Sequence, residues 1–99
     1  MSIRAKNRKP THPGAILRED ILPALGITQT ELATRLKVSR RTISQILHES
    51  RPLTTDMAIR LACFLDTTPE SWLNMQQAYD VWYLEHKNAH IYDKIRKVA

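Results

Sequence analysis

The segment from Thr28 to Leu47 constrains this 99-residue chain more than any other. Thr28 followed by Glu31 has the form of a capping box, in which each side chain satisfies a free backbone N–H of the other's turn. Leu32, Ala33 and Leu36 then recur at helical spacing. Ser39 is a good N-cap for a second helix, whose apolar stripe is Ile43, Ile46 and Leu47. Only Lys37 and Val38 separate the two helices, so they must cross steeply. The small Ala33 lets the second pack close against the first.

With Ala33, Val38 and Ile43 as the buried skeleton, the polar residues sort themselves. Arg40, Arg41, Ser44, Gln45 and His48 lie off the apolar stripe and face outward. Two short crossed helices with arginines opening the second form a helix-turn-helix, which presents side chains to base edges in the DNA major groove. An arginine placed there can bond guanine O6 and N7 together and discriminate by about 1–3 kcal/mol. Thr28 and Gln29, at the start of the preceding helix, are placed to touch phosphate. The expected function is sequence-specific DNA binding, with Ser39 beside Arg40, Arg41, Ser44, Gln45 and His48 on the binding surface.

The rest of the chain reads as helices around this unit. Pro13 suits the first position of a helix running to about Asp20, with Ile16 and Leu17 inward. Pro23 and Gly26 are expected to break it, leaving Ile21, Leu22 and Leu25 to cap the core from a loop. Thr54 caps a fourth helix whose Ala58, Leu61, Ala62 and Leu65 complete the core. Asp66-Thr67-Thr68 closes it, and Thr68-Pro69-Glu70 starts a fifth that runs to about His86. The expected fold is therefore all-α, a five-helix repressor-like domain over residues 12–86 with a long C-terminal helix. A basic arm, residues 1–11, and a basic tail, residues 87–99, flank it.

The fifth helix is rich in aromatics for so small a domain. Trp72, Gln76, Tyr79, Trp82 and Tyr83 follow a helical period, and Leu73, Val81 and Leu84 widen the apolar surface. Trp72 and Leu73 are the best candidates to cover the domain's own core. A domain of this size cannot bury every member, so a second apolar face is expected to meet another subunit. Its candidate dimerisation residues are Leu73, Tyr79, Val81 and Trp82, in keeping with the aromatic enrichment of interfaces. A dimer would insert two such helices into successive major grooves, roughly 34–36 Å apart, on an operator built as an inverted repeat.

Charge is divided along the chain. The net charge is +5, with Arg4, Lys6, Arg8 and Lys9 in the arm. Arg35, Lys37, Arg40, Arg41 and Arg51 stand against Glu49 alone in residues 35–51. Residues 53–85 reverse the sign, with Asp56, Asp66, Glu70, Asp80 and Glu85 against Arg60. The basic segment should face phosphate, and the acidic one should face away from it or meet a basic partner. The arm could track phosphate, enter the minor groove or remain a solvated end. The tail with Lys94, Ile95, Arg96 and Lys97 leaves the same options open, together with folding on a partner.

Other classes are disfavoured. No apolar run approaches the roughly 20 residues that span a membrane, and the first residues lack a signal-peptide core, so a cytoplasmic location is expected. Cys63, within Leu61-Ala62-Cys63-Phe64-Leu65, is expected to be a buried thiol. His86 and His90 could share a helix face as metal ligands do, but no third ligand stands at a recognisable spacing. Ser39 and Ser44 have no evident base partner, and Gly14 and Gly26 do not make a phosphate loop. Asp56 and Glu70 suit helix starts, where the dipole favours them. No catalysis, metal or cofactor is expected.

Taken together, His12-Pro13-Gly14, Leu17-Arg18-Glu19, Ser39-Arg40-Arg41-Thr42-Ile43-Ser44, Asp56-Met57-Ala58, Trp72-Leu73-Asn74 and Tyr79-Asp80-Val81-Trp82 resemble the HigA family of antitoxins. That family lies within the phage-repressor-like, Xre-type helix-turn-helix proteins, and the resemblance spans residues 12–82. It implies a dimer that binds the operator of its own toxin–antitoxin operon and represses it. It also implies a partner resembling HigB, a small basic ribonuclease that cleaves messenger RNA on the ribosome. Carried over by position, Arg40, Arg41, Ser44 and Gln45 read bases, while Gln29 and Thr42 touch phosphate. The chain departs from the repressor pattern at Lys37, where glycine is usual, so either the backbone is strained there or the turn differs. A stand-alone repressor with no toxin partner is the alternative.

Overall fold

A computed structural model describes residues 8–98 of the chain. Residues 1–7, including Arg4 and Lys6 of the expected arm, lie outside the described residues. Six helices form, and no strand occurs among the described residues. The first, α1, is continuous but has three parts: an α-helical turn Pro13–Ile16, a π-helical stretch Leu17–Ile21 and a closing α-helical turn Leu22–Leu25. Then come α2 (Gln29–Leu36), α3 (Arg40–Leu47), α4 (Thr55–Leu65), α5 (Pro69–Lys87) and a short α6 (Ala89–Tyr92). The sixth helix lies in what reads as a tail by sequence.

Pro23 does not break the first helix. The Leu22 N–H bonds to the Leu17 carbonyl, five residues back, which is the π-type pairing. The extra residue it accommodates lets Pro23 fall in the first turn of the closing segment, where a missing N–H costs nothing. Leu22 is buried and Ile21 half-buried, as the apolar pattern requires. Leu25 does not cap the core: it is 49% exposed on the outer side of the last turn.

The N-caps follow the sequence closely. Thr28 Oγ1 accepts from the Glu31 N–H at 3.1 Å, and the Glu31 carboxylate accepts from the Thr28 N–H at 3.2 Å. Ser39, Thr54 and Thr68 cap α3, α4 and α5 in the same way, each accepting an N–H three residues on. At α1 the cap is the buried His12, whose Nδ1 accepts from the Gly14 N–H at 2.9 Å.

The C-terminal ends share a device that the sequence hides. Four times, an N–H bonds to the carbonyl five residues back, closing a Schellman turn: Ile27 to Leu22, Val38 to Ala33, Ser50 to Gln45 and Thr67 to Ala62. Each turn needs a residue in the left-handed region, and glycine supplies only one, Gly26. Lys37, Glu49 and Asp66 fill the others, with φ of 59°, 61° and 55°. The turn at Lys37 is thus the repressor turn, held in a strained backbone.

The core is one cluster, drawn from every helix but α6. Leu17, Leu32, Ile43, Ile46 and Leu61 are its largest fully buried side chains apart from Pro13. Trp72 seals it from α5 and donates its indole N–H to Thr67 Oγ1 at 2.9 Å. Leu73 is half-buried against the same cluster. Cys63 is not buried. The inward positions of α4 are Met57, Ala58, Leu61 and Ala62, which turn residue 63 outward.

Two outcomes test this account. Lys37→Gly should stabilise the chain by about 0.5–1 kcal/mol, because glycine relieves the left-handed strain at some cost in unfolded-state entropy. Glu49→Gly should bring no such gain, since the Glu49 carboxylate also accepts from Arg18 at 3.3 Å. Thermal melts of the two variants check the contrast. Burial holds the His12 imidazole below its ordinary 6.5, against the pull of Glu49 and Asp80. The folded state therefore favours neutral His12. The stability this gives is complete above pH 6.5 and is lost as pH falls through the depressed folded value. His12→Asn puts a capping oxygen in place of Nδ1 and removes the titration, so its melting temperature should fall less than wild type on acidification below 6.5.

Candidate nucleic-acid interface

The candidate surface is built on α3 and the start of α2. The face of α3 opposite Ile43, Ile46 and Leu47 carries Arg40, Arg41, Ser44 and Gln45. Arg40 and Arg41 are exposed, and Ser44 and Gln45 half-buried. Among the described residues the ion pairs join Arg18 to Glu19 and Glu49, and Arg60 to Asp56. Neither Arg40 nor Arg41 enters one. Two arginines thus occupy the first turn of a helix with their donors uncommitted to any acid among the described residues. Such an arrangement suits phosphate oxygens or the acceptor edge of guanine.

The flanking polar groups are mostly engaged in holding the helix. Ser39 Oγ accepts from the Thr42 N–H at 3.1 Å and lies 2.9 Å from Thr42 Oγ1. Thr42 Oγ1 also accepts from Arg51 Nη1 at 3.1 Å. At the other end, His48 Nδ1 lies 2.7 Å from the Ser44 carbonyl, so it carries the proton and donates. The hydroxyl and N–H of Ser50 both donate to the Gln45 carbonyl, at 3.1 and 3.0 Å. On α2, Thr28 is exposed and Gln29 half-buried, beside the free N–H groups of the first turn.

The position of α3 and of the loop after it is fixed by contacts from α1 and α5. The Gly14 backbone lies so close to α3 that a Cβ there would overlap the Ile46 carbonyl. Arg18 donates to the Leu47 carbonyl and to Glu49, tying α1 to the loop after α3. Gln76, buried in α5, accepts the Leu53 N–H on Oε1 at 2.8 Å and donates to Asp80 Oδ1 at 2.8 Å. Arg60 performs the same service for α2, donating to the Leu36 carbonyl at 2.8 Å.

Sequence periodicity places Arg40, Arg41, Ser44, Gln45 and His48 on the outer side, and the structure puts them there. It does not single out Arg51, whose contact with Thr42 brings a third cation to the same surface. The signal in the chain is indirect: an arginine in the loop after α3, followed by Pro52.

The four residues read as a dimer surface are not equivalent. Leu73 packs on the core. Tyr79 is half-buried, its ring edge-on to His12 with centroids 4.9 Å apart. Trp82 is half-buried beneath Lys9 and stacked at a tilt on His86, at 4.3 Å. Val81 is exposed, and so are Tyr83 and Leu84, at 43–44%. The uncovered apolar face therefore lies on the C-terminal half of α5.

Among the described residues no group of three or more His, Cys, Asp or Glu could hold a metal ion, and no helix is long and apolar enough to cross a membrane. Comparison with known proteins gives consistent matches. Residues 17–73 match the helix-turn-helix family. An HTH-type transcriptional regulator of Haemophilus influenzae is 48% identical over 79 residues, 80% of this chain and 74% of that protein. Antitoxin HigA-1 of Vibrio cholerae is 40% identical over 80 residues, 81% of this chain and 75% of that one. The solved structure of Pseudomonas aeruginosa antitoxin HigA with the higBA promoter superposes with a TM-score of 0.86 at 37% identity, covering 92% of this chain and 100% of that chain. The chain belongs to the Xre-like helix-turn-helix family, among the HigA-type antitoxins and their regulator relatives.

Proposed function

We propose that the chain is the antitoxin of a type II toxin–antitoxin pair, acting in the cytoplasm. As a homodimer it binds an inverted-repeat operator and represses its own operon, and it binds and neutralises a HigB-like toxin that cleaves messenger RNA. The observation that carries this reading is the uncommitted Arg40–Arg41 pair on a firmly held α3, in a chain similar over nine-tenths of its length to an antitoxin solved with its promoter.

In this reading α3 is the recognition helix. Arg40, Arg41, Ser44 and Gln45 face base edges. Thr28, Gln29 and Thr42 line the phosphate path, with Ser39 and His48 holding the two ends of the helix and Arg51 adding a backbone contact. Dimerisation uses the α5 face around Val81 and Trp82, with Tyr79 at its edge and Leu73 linking that face to the core. The acidic 53–85 side, turned from DNA, suits a basic protein partner. The second reading is a stand-alone repressor with no toxin partner, which uses the same α3 surface; the relative from Haemophilus influenzae is named only as an HTH-type transcriptional regulator.

Co-expression separates the two. The chain is tagged and expressed with the open reading frame beside its gene, whose product is tested alone for growth arrest. Stoichiometric co-purification of a growth-arresting protein supports the antitoxin; no binding and a harmless neighbour leave the repressor. For DNA, Arg41→Ala should cost about 1–3 kcal/mol on the operator and flatten the preference at one base position. Arg51→Ala should weaken operator and random DNA alike and lower the salt slope by about one. Titrations of each variant against both DNAs at several salt concentrations check the contrast, and equal losses for Arg41→Ala on both DNAs would remove it from base reading.

A further inference from the structure

A groove of about 430 Å³ opens between the last turn of α1 and the corner joining α4 to α5. Its walls are mainly apolar, from Ile21, Ala24, Leu25, Leu65 and Trp72, with Asp20 and Thr67 as the polar members. Leu25 leaves 49% of its surface uncovered there. The groove also lies on the acidic side of a basic molecule. No lysine or arginine occurs from Glu19 to Glu31 or from Leu61 to Glu85, while Asp20, Asp66 and Glu70 fall within the segments that form the groove.

The opposite character appears at the far end of the chain. Ile95 is 70% exposed and Val98 fully so, and Lys94, Arg96 and Lys97 stand around them. Among the described residues nothing covers the apolar segment set among cations, and nothing fills the apolar groove that Asp20 edges. We propose that the groove of one chain receives the tail around Ile95 of a second copy. The inference rests on the dimeric reading given above.

Geometry favours exchange between copies over folding back. Trp72 lies about 22 Å up α5 from Lys87, at 1.5 Å per residue. Residues 88–95, with α6 folded, reach only about 20 Å. A dimer closed about the exposed Val81 and Leu84 has its two-fold axis across α5, which makes the paired helices antiparallel. Residues equidistant from that axis then meet. Trp72 lies about 15 Å from it along α5, and the partner's α5 ends at Lys87, about 7 Å out on the same side. The partner's residues beyond Lys87 then have about 9 Å left to cover to that groove, where burial of Ile95 and the charge match reinforce each other.

The test uses the full chain carrying Cys63→Ser, which removes its one cysteine. Leu25→Cys and Ile95→Cys proteins are mixed, oxidised mildly and run without reductant. The expected product is a mixed covalent dimer, absent when Ile59→Cys, also exposed but outside the groove, replaces Leu25→Cys. A chain ending at Asp93 should dimerise about tenfold more weakly by sedimentation, and its dimer should lose most of the wild type's salt sensitivity. Equal crosslinking to Ile59→Cys overturns the inference, as does an internal disulfide in a monomeric Leu25→Cys/Ile95→Cys chain. A wild-type dimer with no mixed crosslink and no effect of truncation sinks the groove alone. A wild-type chain that sediments as a monomer sinks the dimeric reading, and this inference with it.

Discussion

What α3 can present depends on how closely α1 lies against it. Gly14 touches the Ile46 carbonyl with bare backbone, so the two helices approach closer than any side chain would allow. That approach brings Arg18 within reach of the Leu47 carbonyl and Glu49. It also buries His12, which must then cap α1 in its neutral form. Exposed salt bridges contribute little stability by themselves. Arg18 matters because one guanidinium satisfies a carbonyl left open at the end of α3 and fixes the loop that follows. The exposed face of α3 is orientable because its buried face cannot shift.

The cations divide into two groups once these contacts are seen. Arg18 and Arg60 each occupy a helix C-terminus, where carbonyls and dipole favour positive charge. Arg35 lies over the Phe64 ring, 5.9 Å from its centroid. Arg40 and Arg41 sit instead at a helix N-terminus, where the dipole opposes positive charge. Two uncompensated arginines at that position are locally unfavourable in the free chain. An anion that approaches them relieves the dipole conflict, which is the physical sense in which such a surface favours anions.

Features set by neighbours in sequence were legible, and features set by neighbours in space were not. Thr28, Ser39, Thr54 and Thr68 cap as read because a cap involves residues three apart. The outward face of α3 was legible for the same reason, since it is the complement of Ile43, Ile46 and Leu47. Pro23 misled because a π-type bond absorbed it, and no local pattern announces that bond. Leu25 and Cys63 misled because apolar neighbours in the chain are not neighbours on one helix face. Gln76 looked like part of an aromatic stripe, yet it satisfies the backbone of Leu53, 23 residues away. Arg51 joined the α3 surface only through a contact with Thr42 that the loop geometry creates.

The left-handed residues show how this chain uses its two glycines. Gly14 is needed for close approach and Gly26 for a turn, so three further Schellman turns fall to side chains that resist that backbone. Asp66 tolerates it best, as a short polar residue can. Glu49 accepts the strain and in return gives Arg18 a carboxylate, joining the end of α3 to α1. The Lys37 side chain has no such contact; only its backbone is used, the N–H donating to the Thr34 carbonyl at 3.2 Å and the carbonyl accepting from Arg60 at 3.4 Å, and glycine would supply both. What Lys37 adds is a positive charge in the turn between α2 and α3. Among the described residues nothing offsets the strain at that position, and the side chain adds its charge to the basic surface that α3 presents.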